Sequence, residues 1–148
     1  MRFVKSLKIR GWALLGATAF GLALPGAITT LGNSAYAGGT LEERKQPMQF
    51  RWVACQPDCK GWVSAVGIVT ADSPKAFDEF ARDRQLGGAT IVLDSSGGSV
   101  NDSIALGRRF RSLGAVTTVG VTVRTQTAQG ERASVVPEAY CESMCVFL

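Results

Sequence analysis

TIVLDSSGGSVNDSIALGRRFRSLG, residues 90–114, decides the fold class of this chain. It begins with Thr90–Asp94, a short apolar run that is typical of a buried β-strand. A Ser-Ser-Gly-Gly-Ser turn follows, and the apolar spacing after it predicts a helix over Asn101–Leu113 that ends at Gly114. A strand that passes through a glycine turn into a helix is the repeating unit of an α/β protein.

Further predicted strands and helices lie on both sides of this stretch. Upstream, Ser73-Pro74 predicts the start of a helix with Ser73 as its N-cap, and Gly87-Gly88 predicts its stop. The polar stretch Thr125–Arg132 has no apolar period and predicts an exposed loop. Strands and helices that alternate at these spacings predict right-handed crossovers and a mainly parallel sheet. β-branched or alternating runs predict three further strands: Phe50–Ala54 at a sheet edge, Trp62–Val69 and Val116–Val123.

The first 37 residues predict export. Basic residues and no acidic ones occupy the first ten positions, and an uncharged run, residues 11–24, follows them. Ala35-Tyr36-Ala37 then offers small residues at the spacing that signal peptidase reads. We therefore expect a cleavable signal peptide over residues 1–37, and a periplasmic or secreted product with no stable membrane anchor. A retained transmembrane anchor is the alternative, because residues 11–31 carry no charge.

The positive charge of the chain belongs to this targeting segment. The chain has 16 basic and 12 acidic residues, and its net charge of +4 equals the contribution of Arg2, Lys5, Lys8 and Arg10. The remaining residues are balanced, so the composition predicts neither a nucleic-acid partner nor an anionic membrane partner. We also predict no cofactor and no metal site.

The cysteines stand in two pairs with three residues between the partners, Cys55 with Cys59 and Cys141 with Cys145. Disulfides are expected in an oxidising compartment. We favour the local pair Cys55–Cys59, where Pro57 can turn the chain, over long-range bridges. A Cys141–Cys145 bridge is a hypothesis, because cysteines four apart in a regular helix lie near the limit of disulfide geometry. A zinc site of four thiolates is the alternative, but the spacing differs from that of zinc sites.

Two motifs carry a resemblance to a known family: residues 91–100, IVLDSSGGSV, and residues 142–148, ESMCVFL. Over Trp62–Leu148 the chain resembles the Clp protease proteolytic subunit family of the crotonase-like superfamily, and most closely its predicted periplasmic relatives. The resemblance implies an α/β fold in which β-β-α units form a spiral with a mainly parallel sheet. We expect a flexible leader over residues 38–49 and the N-terminal part of a Clp-like domain over residues 50–148. Because the chain ends inside an apolar run, we expect this domain to be incomplete at its C-terminus.

The resemblance also implies roles for particular residues. Ser143 matches the nucleophile of the family, and the backbone amides of Gly98 and Met144 match its oxyanion hole. Gly97 completes the glycine turn. A serine at the start of a helix exposes its hydroxyl to the positive end of the helix dipole, which favours this chemistry. A peptide or protein substrate and a homo-oligomer are further implications of the resemblance.

The general base of such an enzyme is absent, because the chain contains no histidine. The family's histidine and aspartate follow the serine in sequence, and a serine hydroxyl without a proton acceptor is a poor nucleophile. We therefore expect an exported Clp-like serine hydrolase that is inactive as given. The alternative is a non-catalytic periplasmic binding or assembly module on the same fold. Acyl-coenzyme A chemistry is disfavoured, because that cofactor is cytosolic.

Overall fold

The computed structural model describes residues 35–36, 40–55 and 59–148. The predicted signal peptide therefore lies outside the described residues except at Ala35–Tyr36, and so does the predicted turn at Pro57. No helix within these ranges is long and apolar enough to cross a membrane. In chain order the strands and helices are β1 (Ala35–Tyr36), β2 (Gln49–Val53), β3 (Trp62–Val66), α1 (Ser73–Ala81), β4 (Thr90–Asp94), α2 (Val100–Ser112), β5 (Val116–Val119), β6 (Val121–Thr127) and β7 (Gly130–Val136), with 3₁₀ helices at Glu43–Lys45 and Ser143–Phe147.

The main sheet has four strands in the order β2-β3-β4-β5. The strand β2 lies at one edge and runs antiparallel to β3, as expected for an edge strand, whereas β3, β4 and β5 are parallel. The helix α1 connects β3 to β4, and α2 connects β4 to β5, because parallel neighbours need a crossover rather than a tight turn. The prediction of a mixed α/β fold with a mostly parallel sheet is confirmed.

Both helices pack on one face of this sheet. Alternate residues of β3 and β4 point to that face and are buried, among them Val63 and Ile91. Phe77 of α1 meets Phe110 of α2 edge to face, with their ring centroids 4.9 Å apart. Aromatic side chains in this arrangement bury large apolar areas, so they join both helices to the sheet in one core.

An antiparallel hairpin covers part of the opposite face. The strands β6 and β7 form it, and Ala133 of β7 joins a second buried cluster with Trp62 and Val92 of the main sheet. The Trp62 Nε1–H donates a buried hydrogen bond of 2.9 Å to the Thr122 Oγ1. The indole therefore satisfies its only donor while its ring packs between the two sheets.

The predicted loop over Thr125–Arg132 is wrong, because most of it belongs to this hairpin. Most side chains of the ribbon are at least partly exposed, so its sequence lacks the apolar alternation that marks a half-buried strand. The predicted strand Val116–Val123 is also divided. Gly120 separates β5 from β6, and a Cβ at Gly120 would collide with the Val135 side chain. The missing side chain at Gly120 thus lets the hairpin pack closely where the chain changes sheets.

Both helices start near their predicted limits, and α2 also ends there, whereas α1 ends earlier than predicted. Ser73 is the first residue of α1 rather than its N-cap, and its Oγ accepts a hydrogen bond of 2.9 Å from the Thr70 amide. The helix ends at Ala81, before the predicted glycine stop. Gly114 has a φ of 62° and its amide donates to the Arg111 carbonyl at 2.9 Å. This left-handed residue ends α2 as predicted.

The segment predicted as a flexible leader is anchored to the folded core at its C-terminal end, whereas most side chains of residues 40–47 are exposed. Thr40 and Glu43 form a reciprocal cap, in which the Thr40 amide donates to the Glu43 carboxylate at 2.8 Å and the Glu43 amide donates to the Thr40 hydroxyl at 3.2 Å. The Met48 side chain is buried in the main core. These contacts make the leader part of the folded domain, which its polar composition did not indicate.

Candidate functional site

The candidate site lies where β4 ends, at the carboxyl edge of the parallel strands. Sites in open α/β sheets form at this edge, because helix N-termini and strand-to-helix turns meet there. The chain returning from the hairpin pairs with Ser95, the residue after β4. The Ser95 amide donates to the Tyr140 carbonyl at 2.7 Å, and the Glu142 amide donates to the Ser95 carbonyl at 3.0 Å. This pairing brings Ser143 beside the glycine turn.

Gly97 is the residue of the turn that contacts Ser143. A Cβ at Gly97 would lie 2.8 Å from the Ser143 Cβ and 3.1 Å from the Met144 amide nitrogen. Its φ is 93°, a conformation that residues with a side chain rarely adopt. Glycine is therefore required here for two reasons, the backbone conformation and the close approach of the serine segment.

Gly98 contacts a different part of the chain. Its φ is 135°, and a Cβ there would lie 2.7 Å from the backbone nitrogen of Val69. The Val69 amide donates to the Gly97 carbonyl at 2.7 Å, and the Ser99 amide donates to the Val69 carbonyl at 2.8 Å. The loop after β3 thus fixes one side of the glycine turn, while the serine segment fixes the other.

Ser143 has an unusual backbone conformation. Its φ is 51°, which makes it the one non-glycine residue with positive φ in the described part of the chain. It is exposed, begins the 3₁₀ helix Ser143–Phe147, and its hydroxyl has no hydrogen-bond partner among the described residues. A side chain in the left-handed region costs of order 1–2 kcal/mol, so surrounding contacts must maintain it. Strained residues of this kind cluster at functional sites.

A disulfide closes the segment around this serine. Cys141 and Cys145 are bonded, with their Cα atoms 5.2 Å apart, and Cys145 is only 1% exposed. The Cys145 amide also donates to the Glu142 carbonyl at 3.1 Å. The hypothesis of a bridge across Ser143 is therefore confirmed, because this segment is a 3₁₀ turn entered from an extended residue rather than a regular α-helix.

The second predicted disulfide, Cys55–Cys59, is also present, with its Cα atoms 5.3 Å apart. Because both pairs are bridged, the alternative of a four-thiolate zinc site is excluded. Two disulfides fit a protein of an oxidising, extracytoplasmic compartment.

A buried ion pair anchors the segment that precedes Ser143. The Asp94 side chain at the end of β4 is 1% exposed, and its Oδ1 accepts a hydrogen bond of 3.2 Å from the Tyr140 amide. The Arg44 Nε lies 3.6 Å from the same oxygen, and the guanidinium stacks 4.2 Å from the Tyr140 ring centroid. Sequence analysis missed Arg44, because nothing in the polar leader distinguishes a buried arginine from an exposed one.

The electrostatics of the site are mixed. Ser99 is the N-cap of α2, and its hydroxyl donates to the Asp102 carboxylate in the first turn of that helix. The N-terminus of α2 carries partial positive charge, which favours an anion near the glycine turn. Glu142 is exposed directly before Ser143, and its carboxylate opposes a developing negative charge there.

Away from the site, an ion pair joins the two helices. The Arg109 guanidinium donates to both carboxylate oxygens of Asp78, at 2.7 and 2.8 Å. The hydrogen bonds from Arg109 lower the pKa of Asp78, and the same hydrogen bonds raise the pKa of Arg109. This exposed pair links α2 to α1 at the surface, and it does not involve the serine segment.

The structure thus brings together Ser143, Met144 and Gly97, and it places Gly98 one residue further along the same turn. The arrangement presents an unbonded hydroxyl on a strained turn, with a glycine rather than a side chain beside it. Such a hydroxyl is suited to attack on a carbonyl carbon once a base accepts its proton. Within the described residues, no group of three or more histidine, cysteine, aspartate or glutamate side chains is arranged to bind a metal ion.

Comparison with known proteins identifies no relative. No protein-family model, no curated protein and no solved structure matches this chain. What the protein does is therefore inferred from its own residues, and above all from the geometry around Ser143.

Proposed function

We propose that this protein is an exported serine hydrolase of the Clp-like class, with Ser143 as the nucleophile and a peptide or protein as the substrate. The observation that supports it most is the conformation of Ser143, an exposed serine with a φ of 51° on a disulfide-closed turn. A nucleophilic serine on such a strained turn recurs in hydrolases, because the turn exposes the hydroxyl to the substrate. The parallel sheet with its helices on one face agrees with the broad class of fold, and the crotonase-like spiral is part of the proposal.

The amides of Gly98 and Met144 are proposed as the oxyanion hole. When the Ser143 hydroxyl attacks a carbonyl carbon, its proton passes to a base and the carbonyl oxygen becomes negative. Amide donors near that oxygen stabilise the charge, and each donor is worth about 3–4 kcal/mol in enzymes of this kind. The absence of a side chain at Gly97 supports this role, since it lets Ser143 and the Met144 amide approach the glycine turn closely.

The proton acceptor is the missing component. None of the 148 residues is a histidine, and we propose that the base comes from outside these residues, as the resemblance implies. We then expect the chain alone to hold Ser143 in position for attack but not to turn over a substrate. A homo-oligomer, also implied by the resemblance, is part of the same proposal.

The test is covalent labelling of Ser143 with a fluorophosphonate in the presence and absence of added imidazole as a proton acceptor. We expect a single adduct on Ser143 whose rate of formation rises with imidazole concentration. The Ser143→Ala variant should lose the adduct. Ser134→Ala, which removes an exposed serine from β7, should keep it. Mass spectrometry of the digested protein locates the modified serine.

A second candidate is a non-catalytic binding or assembly module. The lack of histidine and the exposed Glu142 beside Ser143 favour it, because both oppose acyl transfer. Labelling spread over several serines, or no labelling of Ser143 at any imidazole concentration, would contradict the hydrolase and leave the binding module as the better proposal.

A further inference from the structure

An open cleft lies on the hairpin side of the main sheet, between the leader and the strands β2 and β3. Its volume is ≈ 320 Å³, at the lower end of the range of about 300–1,000 Å³ for small-molecule sites. Its walls come from Glu43 and Gln46 of the leader, Gln49 and Arg51 of β2, and Ser64 and Val66 of β3. The cleft shares no residue with the serine turn.

Ser64 forms the buried part of this cleft. It is 5% exposed, and its hydroxyl has no hydrogen-bond partner among the described residues. The Ser64 Oγ itself is accessible to solvent in the cleft, so water can satisfy it when the cleft is empty. A molecule bound in the cleft can replace that water as the hydrogen-bond partner of the hydroxyl.

Arg51 stands next to Ser64 on the same face of the sheet. The two residues are directly opposite in the antiparallel register of β2 and β3, so their side chains emerge side by side. Arg51 has no ion-pair partner within the described ranges. A guanidinium beside a hydroxyl offers several donors to one acceptor group, and a carboxylate is one of the groups whose geometry such a set matches.

Glu43 gives the opposite wall of the cleft a negative charge. Its Oε2 accepts the Thr40 amide, which fixes the carboxylate on the 3₁₀ turn, and the group can accept further hydrogen bonds. The cleft thus carries a cation on β2 and an anion on the leader. A ligand with a single negative charge would be attracted by one wall and repelled by the other, whereas a zwitterion complements both.

We propose that this cleft binds a small zwitterion of about the size of a dipeptide, with its carboxylate at Arg51 and Ser64 and its ammonium group at Glu43. Water in the liquid occupies about 30 Å³ per molecule, so a cleft of ≈ 320 Å³ takes a ligand of about ten non-hydrogen atoms. A dipeptide of two small residues has this size. This binding site is separate from the proposed hydrolase chemistry and does not depend on it.

The experiment is a calorimetric titration with L-alanyl-L-alanine. It uses the protein with the N-terminus that it has after export from the cell. We expect saturable binding that Arg51→Gln and Ser64→Ala each weaken about tenfold, which corresponds to about 1.4 kcal/mol. Arg132→Gln removes the same charge from an exposed residue of β7 and should leave the affinity unchanged. N-acetyl-L-alanyl-L-alanine and L-alanyl-L-alanine amide each lack one charge and should bind about tenfold more weakly.

Three results would overturn the proposal. One is a titration that does not saturate up to about 10 mM, a concentration at which even a millimolar site is mostly occupied. Another is equal affinity for the dipeptide and both of its capped forms, because the two charged walls would then not recognise it. The third is an affinity that Arg51→Gln and Arg132→Gln lower equally, since the effect would then be one of net charge. Circular dichroism confirms that each variant is folded before it is titrated.

Discussion

Replacing Gly97 with alanine tests whether the glycine turn and the serine segment are built around each other. The φ of 93° costs an alanine of order 1–2 kcal/mol, because its Cβ meets the neighbouring backbone. The new Cβ would also lie 2.8 Å from both the Glu142 carbonyl oxygen and the Ser143 Cβ, and overpacking of this kind costs about 1–3 kcal/mol. We expect Gly97→Ala to lower the free energy of unfolding by about 2–5 kcal/mol.

Alanine substitutions at two other glycines measure the free-energy cost of a positive φ without a steric clash of the new Cβ. Gly88 and Gly130 have φ values of 69° and 118°, on either side of that of Gly97, and a Cβ at either position would meet nothing within 4 Å. We expect Gly88→Ala and Gly130→Ala to cost only about 1–2 kcal/mol in urea unfolding followed by circular dichroism. Fluorophosphonate labelling of Ser143 should fall in Gly97→Ala and not in the controls. If Gly97→Ala is no less stable than both controls and keeps its labelling, the proposed packing of Ser143 on Gly97 is refuted.

Three further predictions concern stability. Replacing both Cys141 and Cys145 with serine should lower the free energy of unfolding by about 2 kcal/mol, which is the chain-entropy value for so short a loop. Chemical denaturation of the oxidised wild-type protein and of the variant measures this difference. An unchanged free energy of unfolding would contradict the bridge. Asp78→Asn should cost less than about 1 kcal/mol at neutral pH, because the pair with Arg109 is exposed. Since the pKa of Asp78 is lowered in the folded state, this contribution should be complete above its unfolded pKa of 3.8 and disappear as the pH falls through the folded pKa, which unfolding curves at neutral and acidic pH compare. Thr122→Val should lower the free energy of unfolding by about 1–3 kcal/mol, because it leaves the Trp62 indole N–H buried without a partner. Thr125→Val changes an exposed residue and should be nearly neutral. Thermal unfolding compares the two variants.

The strand-to-helix unit around residues 90–114 could be predicted well from its residues alone. Thr90–Asp94 forms a strand with the predicted limits, and Gly114 ends α2 by its left-handed φ. These features depend on neighbours in the sequence, because apolar periodicity and glycine conformation are local properties. The hairpin β6-β7 was missed for the opposite reason, since its strands are stabilised by pairing with each other and by a few contacts with the main sheet.

The candidate site likewise combines residues that the sequence predicted with features that only the structure shows. Ser143, Gly97, Gly98 and Met144 could be named from motifs, and the structure adds the positive φ of Ser143 that no sequence pattern indicates. Arg44 and the cleft around Ser64 had no signal at all in the sequence. Their importance comes from burial and from charge pairing across different elements, and an isolated arginine or serine in a polar or apolar run does not reveal either.

By itself, the sequence predicted the order of the strands and helices from β3 to β5, the glycine turn and the favoured cysteine pairing across residues 55–59, and it contains no histidine base. Only the tertiary structure decided that Ser143 lies against Gly97, that Arg44 pairs with Asp94, and that Arg51 and Ser64 share one cleft. The physical reason is separation along the chain. Turns and helix ends depend on residues within a few positions, whereas a site requires backbone segments about fifty residues apart to meet, and only the packing of the whole sheet brings them together.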